Sequence, residues 1–372
     1  MGHSGSALLP LHHGKAPRWL FSRMVKLSEC IIDILVDEYG QLEVLRRLSD
    51  PWFFQSLSCV LGYDWHSSGT TTVTCGALKV ALDRENIGVA VCRGKGKTSL
   101  KTPQEIMEMG EAFGLGDQVI NGLVYASKMS AKVDNSLVQD GYQLYHHCLI
   151  FDENGNWIVI QQGINEERGN ARRYHWDLEH RGYVEEPHQA ILCETKLSEV
   201  LNMTSLDSDR NRRTCLDLVK ENPNRIKRLI AKPTTNGQTR LDGWTGEHSL
   251  VMPRSVNWGA VRAAYEFQPH SYEEMVSLKG IGPSTVRGLA LIAELVYGDT
   301  ASWRDPVKFN FAFGGKDGVP YPVDRRSMDE AVNVLSNGIK SSNLSVREEI
   351  RAFKRLRYCV PSSDPIKLRT VL

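Results

Sequence analysis

The chain has 372 residues, which is enough for two or three domains. Its 45 lysines and arginines nearly balance its 44 aspartates and glutamates, so the net charge of +1 excludes nucleic-acid binding through overall charge, and any basic surface must be local. No apolar run is long enough to span a membrane, and Met1 to Pro10 lacks the regions of a signal peptide, so we expect a cytoplasmic globular protein without membrane association. The eight cysteines form no Cys-x-x-Cys pair, so we expect free thiols and no cysteine-bound zinc.

Helices dominate the start of the chain, and a polar loop interrupts them. Arg18 to Tyr39 carries apolar residues at helical spacing and ends before Gly40, and two shorter helices follow, the second of them capped by Asp50. The next loop contains Asp64 and His66 two positions apart, just before a threonine-rich helix. We interpret this loop either as a catalytic or anion-binding pocket at a helix N-terminus or as a capping network.

A predicted strand from Asn86 to Val91 leads into a basic loop, Arg93 to Ser99. The lysines of this loop, Lys95 and Lys97, stand among glycines and hydroxyl side chains, a composition typical of a phosphate cradle. A P-loop would need glycine where Val91 stands, so we do not infer ATP, and we predict contact with backbone phosphates of DNA or RNA. A solvated basic loop is the alternative.

The strongest β signal is a hairpin, with two apolar strands at 141–151 and 157–162 around the turn Asp152 to Asn156. Further along, Arg172 and Arg173 stand next to aromatic residues. Such a mixture of cations and rings can hold a phosphate backbone and stack on bases. The alternative is a structural aromatic cluster with salt bridges.

Histidines and acidic residues of the same region indicate a further pocket. His146 and His147 are neighbours on a predicted strand and point to opposite faces, so at most one of them joins a given site. We take His147 and His175, with Lys132 and Asp134 from the predicted helix before the hairpin, as catalytic candidates. No set of carboxylates around a cation is evident, so no cofactor is certain and a divalent metal stays open.

The composition indicates one linker. Residues 231–252 are poor in apolar residues and rich in turn-forming ones, and they separate an N-terminal domain, residues 1–230, from a helical domain, residues 253–372. The predicted fold class is therefore α+β and mainly helical. The first domain contains a sheet with the β-hairpin, and the second contains only helices.

A glycine-rich turn between two predicted helices lies in the second domain, at Leu278 to Thr285. Gly280 and Gly282 bracket Ile281, and Pro283 suits the first turn of the next helix. The pattern resembles the helix-hairpin-helix DNA-binding motif, whose loop offers backbone N–H groups to a phosphate. The resemblance implies a duplex-DNA contact formed by Gly280, Ile281, Gly282, Ser284 and Thr285. An ordinary helical hairpin is the alternative.

The segment downstream is similar to the glycosylase branch of that superfamily, in which an aspartate just before a helix supports the cationic sugar formed as a damaged base leaves. Asp324 follows Val323 in the corresponding position, so the resemblance implies that Asp324 is the catalytic carboxylate. Ser284 stands where bifunctional members carry a lysine, which implies no lysine-type lyase chemistry there. The connection from the hairpin to Asp324 is also longer than in that branch, and in the alternative Asp324 is a helix N-cap.

Motifs spread over almost the whole chain carry a second resemblance. They include Leu9-Pro-Leu-His, Asp64-Trp-His-Ser-Ser-Gly, Gly94-Lys-Gly-Lys, Ala171-Arg-Arg-Tyr-His-Trp and Phe313-Gly-Gly-Lys-Asp-Gly. These motifs resemble a prokaryotic family catalogued as domain of unknown function 763. This resemblance implies no particular activity.

The sequence thus predicts a DNA-binding protein of DNA processing or repair, and it predicts neither a protein partner nor an oligomeric state. Two chemistries are open, which are excision of a damaged base with Asp324 and phosphodiester cleavage in the N-terminal domain. The catalytic candidates are Asp324, Asp64, His66, Lys132, Asp134, His147 and His175. The alternatives are a non-catalytic DNA- or RNA-binding protein and a nucleotide-handling enzyme that uses loop 93–99.

Overall fold

The computed structural model describes residues 5–6, 16–62, 68–84, 87–178, 182–193, 196–231, 252–253, 255–308, 312–313, 325–341 and 345–359. Within these ranges no helix is both long enough and apolar enough to cross a membrane.

The fold is α+β and mainly helical, in agreement with the predicted class. The prediction that residues 253–372 contain only helices is wrong at Ala312–Phe313, a short strand that pairs with Gly5–Ser6. The helices are α1 (Arg18–Tyr39), α2 (Gln41–Ser49), α3 (Pro51–Val60), α4 (Gly69–Leu82), α5 (Thr102–Ala112), α6 (Asp117–Ser136), α7 (Asp209–Val219), α8 (Pro223–Ala231), α9 (Trp258–Phe267), α10 (Tyr272–Ser277), α11 (Pro283–Tyr297), α12 (Arg325–Ser341) and α13 (Val346–Cys359). The strands are β1 (Gly5–Ser6), β2 (Val89–Lys95), β3 (Val138–Gln139), β4 (Gln143–Asp152), β5 (Trp157–Asn165), β6 (Asn170–Trp176), β7 (Ala190–Leu192), β8 (Leu201–Asn202) and β9 (Ala312–Phe313). Short 3-10 helices lie at Gly96–Lys101 and Leu206–Ser208.

Five strands form the central antiparallel sheet, in the order β2-β4-β5-β6-β7. The predicted hairpin is confirmed as β4 and β5, and its turn is held by Asp152, whose Oδ1 accepts from the backbone N–H groups of Asn154 and Asn156, each at 2.9 Å. Two segments that the sequence left outside the sheet belong to it. Arg93 to Lys95 continues β2, and residues 170–176 form the fully buried strand β6, because each segment pairs with a neighbouring strand.

Helices cover both faces of the sheet, so both faces of its strands are apolar. Cys148 and Ile150 of β4 face α1 to α4, whereas the alternate residues Leu149 and Phe151 face a cluster that includes Met129 of α6. We refer to these as the α4 face and the α6 face of the sheet.

The helices that follow the predicted linker divide between these two faces. On the α6 face, α10 and α11 pack against α6 and α7. On the α4 face, α12 packs against α1 and α3, and α13 packs against α3. Of the predicted linker, only residues 231 and 252 are among those the structure describes, and the division into two domains stays a prediction.

Candidate functional site

The glycine-rich turn lies between α10 and α11, and its first glycine is required by the internal packing. Gly280 has φ +89°, and a Cβ atom there would lie 2.8 Å from Asn257 Nδ2 and 3.0 Å from Ala260 Cβ. Ile281 is buried, and its N–H donates to the carbonyl of Leu278 at 3.3 Å. The turn is therefore a packed structure rather than a loose loop.

The second glycine of the turn has no such internal reason. Gly282 has an extended backbone, with φ −128°, and a Cβ atom there would meet no heavy atom within 4 Å in the described parts of the chain. Lys279 and Pro283 beside it are exposed. Pro283 opens α11 and has no N–H, so Ser284 and Thr285 carry the first-turn N–H groups that a helix leaves without intrahelical partners.

Groups from α6, from β3 and from the N-terminus of α9 hold this turn in place. The ammonium of Lys132 donates to the carbonyl of Leu278, and Gln139 Nε2 donates to the carbonyl of Pro283 at 2.8 Å. Burial lowers the pKa of Lys132 to about 8. Thr285 Oγ1 accepts from the backbone N–H of Asn257 at 3.4 Å. Lys132, a predicted catalytic residue, thus lies at the turn between α10 and α11.

Asp134 lies nearby on α6, in a buried network of hydrogen bonds. It accepts from Gln161 Nε2 at 2.5 Å and also contacts Nε2 of His188. Gln161 Oε1 lies 2.9 Å from His147 Nδ1, and the other ring nitrogen of His147 lies 2.8 Å from Ser127 Oγ. Burial lowers the pKa of His147 to about 4, so the ring is neutral near pH 7. The structure therefore brings Asp134 and His147 together inside the protein, away from solvent.

Arg172 lies on the same face of the sheet and is completely buried. Its guanidinium donates to Asp305 through two hydrogen bonds, of 3.0 and 2.8 Å, and to Asp140 at 2.9 Å. Tyr174 donates to the same Asp140 at 2.7 Å. This predicted nucleic-acid contact is thus occupied by two carboxylates in the interior, which gives Arg172 a structural role.

Arg173 points to the α4 face and is also completely buried, but its partners are neutral. Its Nε donates to Thr71 Oγ1 at 2.9 Å, and its Nη2 donates to Gln55 Oε1 at 3.0 Å. The centre of the guanidinium lies 4.9 Å from the ring centre of Phe54. His175 lies on the same face, and its Nδ1 is 2.8 Å from the carbonyl oxygen of Ser49. The structure therefore separates His175 from the catalytic candidates Asp134 and His147.

The basic loop lies at one end of the same face. Gly94 is required by the packing, because a Cβ atom there would lie 2.2 Å from the backbone nitrogen of Ser99 as the 3-10 helix folds back on β2. Lys95 and Lys97 are exposed. Lys95 Nζ lies 5.6 Å from the ring centre of Tyr145. The hydroxyl of Tyr145 accepts from Gln162, which contacts Thr71, and Thr71 in turn accepts from Arg173.

Three predicted catalytic residues, Asp64, His66 and Asp324, lie outside the described residues. Within the described ranges, no group of three or more histidine, cysteine and acidic side chains could hold a metal ion. The divalent metal left open by the sequence thus gains no ligand set from the described candidates.

Sequence reasoning missed several polar residues of these clusters. They are Gln55, Thr71, Gln161, Gln162 and Asp305. A signal existed for Gln161 and Gln162, because two amides at the end of a run of apolar residues in a strand need partners when that strand is buried. No local pattern marks Asp305, which contacts Arg172 from 133 positions away.

A scan against family models matches residues 5–323 to the family described as Protein of unknown function (DUF763). No curated protein and no solved structure matches the chain.

Proposed function

We propose that this chain, which belongs to the DUF763 family of proteins of unknown function, binds duplex DNA through the turn between α10 and α11. In this proposal the backbone N–H groups of Ser284 and Thr285 at the start of α11 donate to a phosphate of one strand, as helix N-termini do. Lys279, an exposed residue of the same turn, supplies a positive charge.

The observation that carries the proposal is the contrast between the two glycines of the turn. Gly280 is explained by its positive φ and by its contact with Asn257, whereas the described contacts give no reason for glycine at position 282. A missing side chain at a half-buried position with open space beside it allows another molecule to approach the backbone closely. A phosphate at the first turn of α11 is a ligand of this kind.

The anchoring of the turn also supports the proposal. Lys132 and Gln139 bind the carbonyl groups on either side of the glycines, so the backbone is held before any ligand arrives. Rigid donors lose little conformational entropy on binding.

The proposal is limited to binding. Excision at Asp324 and cleavage by the N-terminal candidates stay predictions, because the described candidates are not assembled at one exposed site. The packing favours excision less, since α12, which begins at Arg325, packs on the α4 face, whereas the hairpin packs on the α6 face.

The test is binding of a fluorescent 20-base-pair duplex, measured by anisotropy at several salt concentrations, with the variant Gly282→Val. The extended backbone accepts valine and the Cβ position is open, so we expect an unchanged melting temperature. Loss of charge-assisted hydrogen bonds to one phosphate, worth about 1.5–3 kcal/mol, should lower the affinity of the protein for the duplex about tenfold or more.

Two further variants complete the design. Lys279→Ala should reduce the slope of log K against log salt by about 1, because one phosphate contact is lost. Gly122→Ala, an exposed glycine of α6, is the control and should bind as the wild type does. Equal affinity of Gly282→Val and the wild type would refute the proposal. Binding of single-stranded RNA but not duplex DNA would replace it with the RNA-binding alternative.

A further inference from the structure

We propose that the α4 face of the sheet contains a binding site for a phosphate-class oxyanion, centred on the guanidinium of Arg173. This site goes beyond the proposed duplex contact and does not depend on it. Arg173 belongs to a cluster that includes Gln55, Thr71 and His146, and the occupant would be free phosphate or the phosphate group of a nucleotide or nucleic-acid end.

The guanidinium of Arg173 has no carboxylate partner among the described residues, and the buried thiols of Cys75 and Cys59 are its nearest ionisable acids. The side chain is fully buried, and no carboxylate pairs with it anywhere in the described ranges. Its Nη1 lacks a hydrogen-bond partner in the same residues. Burial lowers the pKa of Arg173 to about 10, so the guanidinium is still charged at neutral pH. A buried and unpaired cation is strongly unfavourable, and an anionic ligand would remove that penalty.

Polar atoms of two other side chains on this face lack oxygen or nitrogen partners. Among the described contacts, Gln55 Nε2 has no hydrogen-bond partner, and His146 has none apart from the Cys75 thiol. The free Nε2 of His175 is an acceptor and not a donor, because the neutral ring donates through Nδ1 to the carbonyl of Ser49. The strand register places His146, Gln162 and Arg173 opposite one another on β4, β5 and β6, so they form one row across the sheet. A tetrahedral oxyanion has several acceptor oxygens and can accept from Arg173 Nη1 and Gln55 Nε2 together.

The N-terminus of α4 adds to the same field. Thr71 lies in the first turn of this 14-residue helix, and its hydroxyl contacts both Arg173 and Gln162. The positive end of the helix dipole therefore lies beside the guanidinium.

Neighbouring ionisable groups respond to a positive environment. Burial and the charge of Arg173 lower the pKa of His175 to about 3. Burial raises the pKa of the Cys75 thiol, but hydrogen bonds from Cys148 and His146 and the charge of Arg93 outweigh burial, and the pKa falls well below its usual value. One ionised thiol would still leave the two arginines with a net positive charge.

Polar groups lead from the surface to this site. Lys95 is exposed, and its ammonium lies over the half-buried ring of Tyr145. The hydroxyl of Tyr145 accepts from Gln162 Nε2 at 2.7 Å, and Gln162 contacts Thr71. The exposed lysines would attract an anion to the end of the sheet at which Arg173 is buried.

The first experiment measures the melting temperature of the full chain in sodium phosphate and in sodium chloride at equal ionic strength. The wild type should show a saturable rise of about 3 °C or more in phosphate, because binding to the native state alone stabilises it. Arg173→Met should not show this rise. Absence of a phosphate-specific rise in the wild type, or its persistence in Arg173→Met, would overturn the proposal.

The second experiment replaces the missing anion by a side chain. Gln55→Glu keeps the size of the residue and places a carboxylate at the atom that already accepts from Arg173 at 3.0 Å. This variant should melt at a higher temperature than the wild type in chloride and should lose the phosphate-dependent rise. A variant that melts no higher and still responds to phosphate would contradict the site, even if Arg173→Met did not fold.

Further arms identify the source of the phosphate and separate the two proposals. Adenosine monophosphate against adenosine, and 5′-phosphorylated against unphosphorylated oligonucleotides, show whether a carried phosphate group stabilises the protein as free phosphate does. Gly282→Val should retain the phosphate-dependent rise, since its backbone lies on the other side of the sheet. Loss of that rise in Gly282→Val would place the phosphate at the hairpin and refute the Arg173 site.

Discussion

Replacement of two adjacent buried arginines by methionine should lower the free energy of unfolding at one position and leave it unchanged or raise it at the other. Arg172 and Arg173 are neighbours on β6, both are completely buried, and strand alternation places them on opposite faces of the sheet. Arg172 has two carboxylates as partners, and Arg173 has only neutral ones among the described residues. Each variant is therefore the control for the other.

The cost for Arg172 follows from the groups that it leaves behind. Its three hydrogen bonds to Asp140 and Asp305 measure 2.8 to 3.0 Å. Burial already raises the pKa of Asp140 even with the guanidinium beside it. Arg172→Met leaves both carboxylates buried without their cation, so we expect a loss of about 3–5 kcal/mol.

For Arg173→Met, the expected change in the free energy of unfolding is zero or positive. Methionine removes two hydrogen bonds to neutral groups, worth about 1 kcal/mol each, and a cation–π contact with Phe54, worth about 1–2 kcal/mol. It also removes a buried charge whose unpaired penalty is several kcal/mol, and its flexible side chain fills much of the same space. Without phosphate, Arg173→Met should be as stable as the wild type or more stable by up to about 4 kcal/mol.

Urea unfolding in phosphate-free buffer at pH 7 measures both variants, with the midpoint compared at constant m. The reasoning is refuted if Arg172→Met costs less than about 1 kcal/mol, or if Arg173→Met is as destabilising as Arg172→Met. The second result would mean that Arg173 has a counter-charge in the folded protein.

Two further predictions concern acid stability and helix packing. Burial lowers the pKa of His147 to about 4 and of His175 to about 3 in the folded protein. Between about pH 6 and pH 4 the unfolded chain therefore binds more protons at these histidines than the folded protein does. Each histidine should reduce the free energy of unfolding by about 1.4 kcal/mol for each pH unit of acidification in this range. Urea midpoints of the wild type and His147→Gln at several pH values check this, and equal slopes would count against it. A Cβ atom at Gly338 would lie 2.6 Å from Cγ1 of Ile31, so Gly338→Ala should cost about 1–3 kcal/mol at the contact of α12 with α1. Gly122→Ala, where no described atom lies within 4 Å, should gain about 0.5–1 kcal/mol, and thermal unfolding that ranks the two variants the other way would contradict this packing.

The spacing of apolar residues was sufficient to predict the elements that have an amphipathic pattern or a local turn signal. The apolar spacing of 18–39 predicts α1, and the Asp152 turn between two apolar strands predicts the β4–β5 hairpin. Residues 170–176 show the limit of this method. Their arginines are of a type that is usually exposed, so the pattern indicated a surface, yet the strand is buried on both faces. The pairing of Arg172 with Asp305 is a tertiary contact, and local sequence carries no record of it.

The candidate site shows the same division between local and tertiary information. The turn at 278–285 could be recognised because its spacing is local, but the distinction between Gly280, which the packing requires, and Gly282, which it does not, needs the position of Asn257. The sequence placed Lys132 with Asp134 among the catalytic candidates of the predicted helix before the β-hairpin. Its contact with the carbonyl of Leu278 instead supports the turn.

The two proposed anion contacts lie on opposite faces of the sheet, and this separation bears on the choice between the two chemistries. The hairpin packs on α6 and α7, whereas Arg173 faces α4, so one phosphate cannot serve both. Asp64 and His66 stand just before Ser68 in the chain, and the carbonyl of Ser68 accepts from Gln162 at 2.8 Å in the Arg173 cluster. If the N-terminal region cleaves a phosphodiester, its predicted catalytic residues therefore lie close in the chain to an anion-binding group. The described contacts show no such group for excision at Asp324. Phosphate binding by Arg173 is for this reason the observation that would favour a phosphodiester chemistry over a base excision.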